Sequence, residues 1–130
     1  NVIDFAIDVD VILDSSQNQG SIVAKIINII TAYFSPAVRG LGQNVYVSEI
    51  RRLIQSENGV ISISDIFVYN KVGGQYSSSQ TSQPYEDPST KQIQLVADTV
   101  FEEPTQIYQI RYPNKDITVN VLNFRTINFS

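Results

Sequence analysis

Apolar and polar residues alternate regularly from residue 2 to residue 14. Ile3, Phe5, Ile7, Val9, Val11 and Leu13 fall on one side; Asp4, Ala6, Asp8, Asp10, Ile12 and Asp14 fall on the other. A period of two marks a strand with one buried face, so the chain is expected to open with a long half-buried strand. Polar residues 15–20 connect it to a different pattern. Over residues 21–34, Ile22, Val23, Ile26, Ile27, Ile29, Ile30, Tyr33 and Phe34 are apolar, and Ser21, Lys25, Asn28 and Thr31 are polar. Recurrence at three and four predicts a helix with a wide apolar arc. Its β-branched residues are weak helix formers. The few tenths of a kcal/mol each loses are small beside the roughly 1.5–3 kcal/mol gained by burying an Ile. Pro36 then stops the helix.

Residues 35–46 form a link in which Pro36, Gly40 and Gly42 set the turns. A second helix is expected to begin near Val47 or Ser48, with Ser48 as its N-cap and Glu49 in the first turn. Ile50, Leu53 and Ile54 make its apolar face, and Arg51, Arg52 and Gln55 point elsewhere. Asn58-Gly59 predicts a C-cap, with Gly59 at positive φ. Residues 60–68 return to strand pattern. Ile26, Ile30, Ile50, Ile54, Phe5, Val9 and Ile63 are expected to share one core, with the sheet on one side and the helices on the other.

Residues 70–92 are polar, with Gly73-Gly74, a serine run at 77–79, Pro84 and Pro88. Such length fits either a partner-contacting arm or a bland mobile loop. Tyr76 and Tyr85 are its aromatic residues and its candidate contact points. Strand character resumes at 93–97, and Val100-Phe101 is a further apolar piece. Residues 107–112 read as a short strand, 113–116 as a turn and 117–122 as a final strand. The tail, 123–130, carries Phe124, Ile127 and Phe129; a tail that ends apolar is expected to lie on its own domain or on a neighbour. The fold class predicted is α+β in a single domain spanning 1–130: a mixed or antiparallel sheet of three to five strands against two helices, in the order β-α-α-β-β-β.

Composition narrows the chemistry. The chain has 130 residues, enough to bury a core. Its net charge of −4 opposes a nucleic-acid surface. With no histidine and no cysteine, there is no Ser–His–Asp or Cys–His arrangement, no disulfide and no Cys or His metal ligand. No apolar run is long enough to span a bilayer. The chain starts at Asn1 and contains no methionine, so it is expected to be a piece of a longer protein. Gly40-Leu41-Gly42 lacks the pattern of a phosphate loop and reads as a turn. Lys25, Lys71, Lys91 and Lys115 lie in stretches that read as exposed, and Arg51-Arg52 reads as a solvated helix face. Asp4, Asp8, Asp10 and Asp14 are the one carboxylate series. An extended strand brings at most two of them to one ion, so they read as a solvated or partner-facing strand edge rather than a metal site. No catalytic, cofactor or metal residues are assigned.

The aspartate-bearing strand, the helix through Ile22–Phe34, then Gly42, Val45, Ser48, Ile50, Ile54 and the Gly59-Val60 stop opening a strand together resemble the baseplate J-like family of contractile-tailed bacteriophages, which includes baseplate wedge proteins. The resemblance covers residues 1–68 well and the last strands loosely, as the C-terminal part of such proteins. The long polar segment 70–92 and the tail after Leu122 depart from it. It implies a structural subunit of a tail baseplate, not an enzyme. It also implies residence in the virion, assembly in the host cytoplasm, and contacts with itself and with other baseplate proteins, not with nucleic acid or membrane. A homodimer, repeated around a ring in the particle, is the expected assembly. Phe124, Ile127, Phe129, Tyr76 and Tyr85 are the expected interface residues, and Gly42, Ser48 and Gly59 the expected structural ones. The competing classes are an enzyme or small-ligand or metal-binding α+β domain that uses the N-terminal aspartates, and a small binding module of a larger protein.

Overall fold

The alternating segment becomes the strand that every other strand of the main sheet touches. A computed structural model describes residues 2–35, 45–71, 74–76, 100–101 and 107–123. Strand β1 (Val2–Leu13) is followed by helix α1 (Gln19–Tyr33), strand β2 (Val45–Tyr46), helix α2 (Val47–Gln55) and strand β3 (Val60–Lys71). Then come β4 (Val100–Phe101), β5 (Ile107–Gln109), the one-turn helix α3 (Pro113–Asp116) and β6 (Ile117–Val121). The fold is α+β, with a mixed sheet. β3 runs antiparallel to β1 from Asp4↔Lys71 to Leu13↔Val60. On the other side β5 pairs parallel with Val2–Asp4 and β6 pairs parallel with Ile7–Val11. β2 and β4 form a separate antiparallel ribbon.

The strand series expected to lie at a sheet edge is therefore the centre of the sheet. Periodicity reports which residues share a face, but it carries no information on how many neighbours a strand has. The edge opposite β3 is one interrupted track, β5 then β6, and the chain leaves it at residues 110–116 to form α3. The turn expected at 113–116 is this helix, with Pro113 in its first turn, where a missing N–H costs nothing. Residues 70 and 71, placed above in the polar segment, complete β3, and Asn70 is fully buried.

The odd-numbered face of β1 is the inner one. Ile3, Phe5, Ile7, Val9, Val11 and Leu13 are fully buried beneath α1 and α2, together with Ile26, Ile30, Ile50 and Ile54, while Ile63 is partly buried against the same core. Phe5 stacks on Tyr108 at 5.5 Å between centroids and meets Phe34 edge-on at 6.1 Å. The wide arc of α1 is used within the chain. Ile22, Ile26, Ile30 and Tyr33 are buried, and Val23, Ile27 and Ile29 pack at the margin of the core. The large exposed apolar side chains among the described residues are Tyr46, Ile61 and Leu122, none of them on α1. No helix among the described residues is long and apolar enough to cross a membrane.

Helix ends differ from the expected ones in three places: the start of α1, the N-cap of α2, and the C-cap of α2, which is Ser56 and not Asn58-Gly59. α1 starts earlier, at Gln19, because the Asn18 side chain accepts from the Ser21 N–H at 3.1 Å. α2 starts at Val47 with Tyr46 as N-cap and no side-chain capping bond, so Ser48 is an exposed first-turn residue, not the cap. The Tyr46 N–H instead donates to the Tyr33 hydroxyl at 3.0 Å, tying the start of α2 to the end of α1.

α2 ends at a Ser56 C-cap, and Gly59 serves the turn that follows. The Val60 N–H donates to the Glu57 carbonyl at 3.1 Å, and Gly59, third in the turn, has φ of 101°. Positive φ at that position is the conformation that type II and type I′ turns require there, and it favours glycine. The site is also closed by packing, since a Cβ there would lie 2.5 Å from Ile22 Cδ1. Gly59→Val is expected to cost about 2 kcal/mol or more from backbone strain, with the clash added. Thermal melting should show Tm lower by roughly 8 °C or more; an unchanged Tm would contradict the turn assignment.

Candidate interaction surface

The even-numbered face of β1 points away from α1 and α2. Its own residues are Asp4, Ala6, Asp8, Asp10 and Ile12. Their partners are Lys71, Tyr69, Phe67, Asp65 and Ser62 on β3, with Gln109, Thr118 and Asn120 on the β5–β6 track. Among the described residues no helix or strand lies across the Asp8–Ile12 half of this face. Asp8, Asp10, Ile12, Phe67 and Tyr69 are half-buried, and Asp65, Thr118, Asn120 and Leu122 are exposed.

The Asp4 end is built up. The Asp4 side chain is fully buried; its Oδ1 accepts from Gln109 Nε2 at 2.7 Å and its Oδ2 from Arg111 Nε at 3.1 Å. This charge-assisted pair is what allows a carboxylate to lie buried there. It also pins the chain where it leaves the sheet between β5 and α3. Next to it, the Tyr76 hydroxyl donates to both oxygens of Asp116, at 2.9 and 3.1 Å, and Asp116 is only 5% exposed. Burial, then the bond to Asp116 and its charge, push the Tyr76 phenol up to about 12. Lys71 and Lys115 each place an ammonium 5.6 Å from the Tyr76 ring centroid, and Tyr112 meets that ring edge-on.

The break in the edge track leaves a hollow. Ala6 has no β5 or β6 residue opposite it and only a methyl group to fill the space. A polar hollow of about 240 Å³ results, lined by Ala6, Asp8, Tyr69, Lys71, Lys115, Asp116 and Thr118. Its two ammonium and two carboxylate groups balance. On the far side of the hollow the balance is lost. Asp10 stands directly opposite Asp65 across the β1–β3 pair, and Asp10 accepts from Asn120 Nδ2 at 2.9 Å. Desolvation raises the Asp8 pKa, the charge of Asp10 adds to that, and the bond from Thr118 opposes it.

Because Asp8 takes up its proton more readily folded than unfolded, its protonation favours the fold. This contribution is present at low pH and lost as pH rises from the ordinary carboxylate value through the raised one. Asp14, beyond the strand, is the reverse case. It accepts from the Ser16 hydroxyl, the Ser16 N–H and Gln17, and is held below its ordinary value, so its contribution is lost as pH falls. Carboxyl NMR titration should place the Asp8 midpoint above that of Asp14, and Asp10→Asn should lower the Asp8 midpoint. An unmoved Asp8 midpoint would show that the two carboxylates do not interact.

Of the interface residues expected from sequence, Tyr76 lies on this face, in the Asp116 contact. Tyr85, Phe124, Ile127, Phe129 and Gly42 lie outside the described residues, as do Lys91, the strand at 93–97 and the segment 77–92. Lys25 and Lys115 are exposed, as expected, and Lys71 is half-buried. The four aspartates do not converge. Each has partners of its own, and among the described residues no group of three or more Asp or Glu side chains is placed to hold a metal ion. Sequence reasoning missed the Asp4–Gln109–Arg111 and Tyr76–Asp116 contacts. The one local hint was Ala6, the smallest residue in an otherwise bulky or charged alternation.

No protein-family model matches the chain, and no curated protein matches it.

Proposed function

We propose that the chain is a structural subunit of a contractile-tail baseplate. It acts by assembly with itself and with other baseplate proteins, in the virion. The observation that carries this reading is the outer face of the sheet, whose Asp8–Ile12 half no described helix or strand covers. It holds half-buried Phe67, Tyr69 and Ile12 between the carboxylates of Asp8, Asp10 and Asp65, and it is an irregular, charged and apolar surface of the sort that partner proteins cover. The order of β1, α1, α2 and β3 over residues 1–68, on which the resemblance to baseplate J-like proteins rests, supports the same reading. Ring or wedge assembly needs only complementary surfaces of this kind, and no reacting group.

The test of the biological role is location. In purified contractile-tailed particles that carry this sequence, antibodies raised against the chain should label the tail end distal to the head. Labelling of the head or sheath, or absence of the chain from washed particles, would contradict the baseplate role.

A further inference from the structure

We propose that the half of the sheet face that no described helix or strand covers receives helix α2 of a second copy, in a head-to-tail contact. This deepens the assembly reading and rests on it. The argument begins with the Asp10–Asp65 pair. Like charges directly opposite on neighbouring strands destabilise a sheet, and here Asp8 adds a further carboxylate along β1. The ion pairs among the described residues are Lys25–Glu57, Arg52–Glu49 and Arg111–Asp4, so none of them reaches Asp10 or Asp65; Asp8 has the Lys71 ammonium across the hollow. A two-fold contact through this face would set the three carboxylates against their own copies. The surface that covers it must instead be basic.

The chain carries such a surface. On α2, Arg51 and Arg52 are adjacent and, with Ser48, Gln55 and Ser56, line a shallow hollow of about 440 Å³. The Arg52 side chain is 68% exposed, and its ion pair with Glu49 is long, at 3.9 Å; Arg51 is half-buried and donates a long bond, at 3.5 Å, to the Ile63 carbonyl. Of the other described cations, Arg111 is bound to Asp4, Lys71 and Lys115 lie beside Tyr76 on the sheet face itself, and Lys25 stands alone on α1 in a long pair with Glu57, at 3.8 Å. Guanidinium groups suit a face that alternates carboxylates with aromatic rings, because they pair with the first and stack on the second. A helix laid on an open sheet face is also an ordinary layer packing.

The two surfaces lie on different elements, so the contact is heterologous. It closes into a ring if the rotation between copies divides a full turn, and otherwise extends. The open half of the face, from Asp8 to Ile12 over three strands, spans roughly 13 by 14 Å. That is small for a stable pair, so a single contact is weak, and ring closure supplies the avidity.

The test uses two charge-reversed chains. Asp10→Lys with Asp65→Lys removes the receiving face and leaves α2 intact; Arg51→Glu with Arg52→Glu removes the donor helix and leaves the face intact. Circular dichroism melts establish that both fold, and the single changes Asp65→Lys and Arg52→Glu replace either double variant that does not. Sedimentation velocity at low salt should show each variant alone associating at least tenfold more weakly than the unmodified chain. A mixture should recover association, through the intact helix on the intact face and through the two reversed surfaces, which again carry opposite charge. If either variant alone associates like the unmodified chain, or the mixture stays monomeric while the unmodified chain associates, this contact is wrong and the assembly reading survives. An unmodified chain that stays monomeric throughout overturns this contact and self-assembly together, and leaves only contacts with other baseplate proteins.

Discussion

Ile30→Asp is expected to abolish the cooperative thermal melt. Ile30 is fully buried on α1, among Phe5, Val9, Ile26, Ile50 and Ile54 of one continuous core. The substitution removes about 1.5–3 kcal/mol of apolar burial and places an unpaired carboxylate where no cation of the core can meet it. An uncompensated buried charge adds about 3–5 kcal/mol, and the sum approaches the whole stability of a domain this size. Far-UV circular dichroism should show a broad transition or none, and near-UV signal from the Phe5–Tyr108 stack should disappear. A sharp melt within a few degrees of the original would mean that α1 does not pack on the sheet as described.

Arg111→Ala is expected to be the most damaging change on the outer face. It takes the cation from the fully buried Asp4 and leaves the 2.7 Å bond from Gln109 to carry more of the charge. Breaking a buried pair from one side costs about 3–5 kcal/mol, and the partial exposure of the Arg111 side chain, at 38%, places the expected loss near the lower end. Asp4→Asn in the Arg111→Ala background should recover more than half of the loss. The amide removes the buried charge while still accepting from Gln109. A double-mutant cycle by urea unfolding measures this. Additive losses in the double variant would mean that Asp4 and Arg111 act independently.

The frame of this fold was legible because its two longest elements are strictly periodic. The alternation from Ile3 to Leu13 identifies β1 and its buried face, and the recurrences from Ile22 to Tyr33 identify α1. Asn58-Gly59 before a β-branched run marked the turn into β3, although the helix itself stops at Ser56. What stayed hidden depends on pairing rather than period. Nothing local to β1 states that β5 and β6 flank it, so its aspartates read as an edge series. The Asp4 contacts join residues 105 and 107 positions apart, beyond the reach of any spacing argument. Ser48 was a fair N-cap candidate by residue type, but the helix is entered two residues earlier, at Tyr46, whose N–H the Tyr33 hydroxyl holds. The interaction surface shares this limit. Alternation placed Asp8 and Asp10 on one face, while the opposition of Asp10 to Asp65, and the hollow above Ala6, exist only once the strands are registered.

The claim that this chain acts by assembling is tested most directly by sedimentation equilibrium of the unmodified chain, from micromolar to millimolar concentration at low and high salt. The weight-average mass should rise continuously above that of one chain as concentration increases, and the rise should weaken with salt, because carboxylates and guanidinium groups carry the contact. A mass fixed at that of one chain across the whole range, at both salt concentrations, would contradict the account.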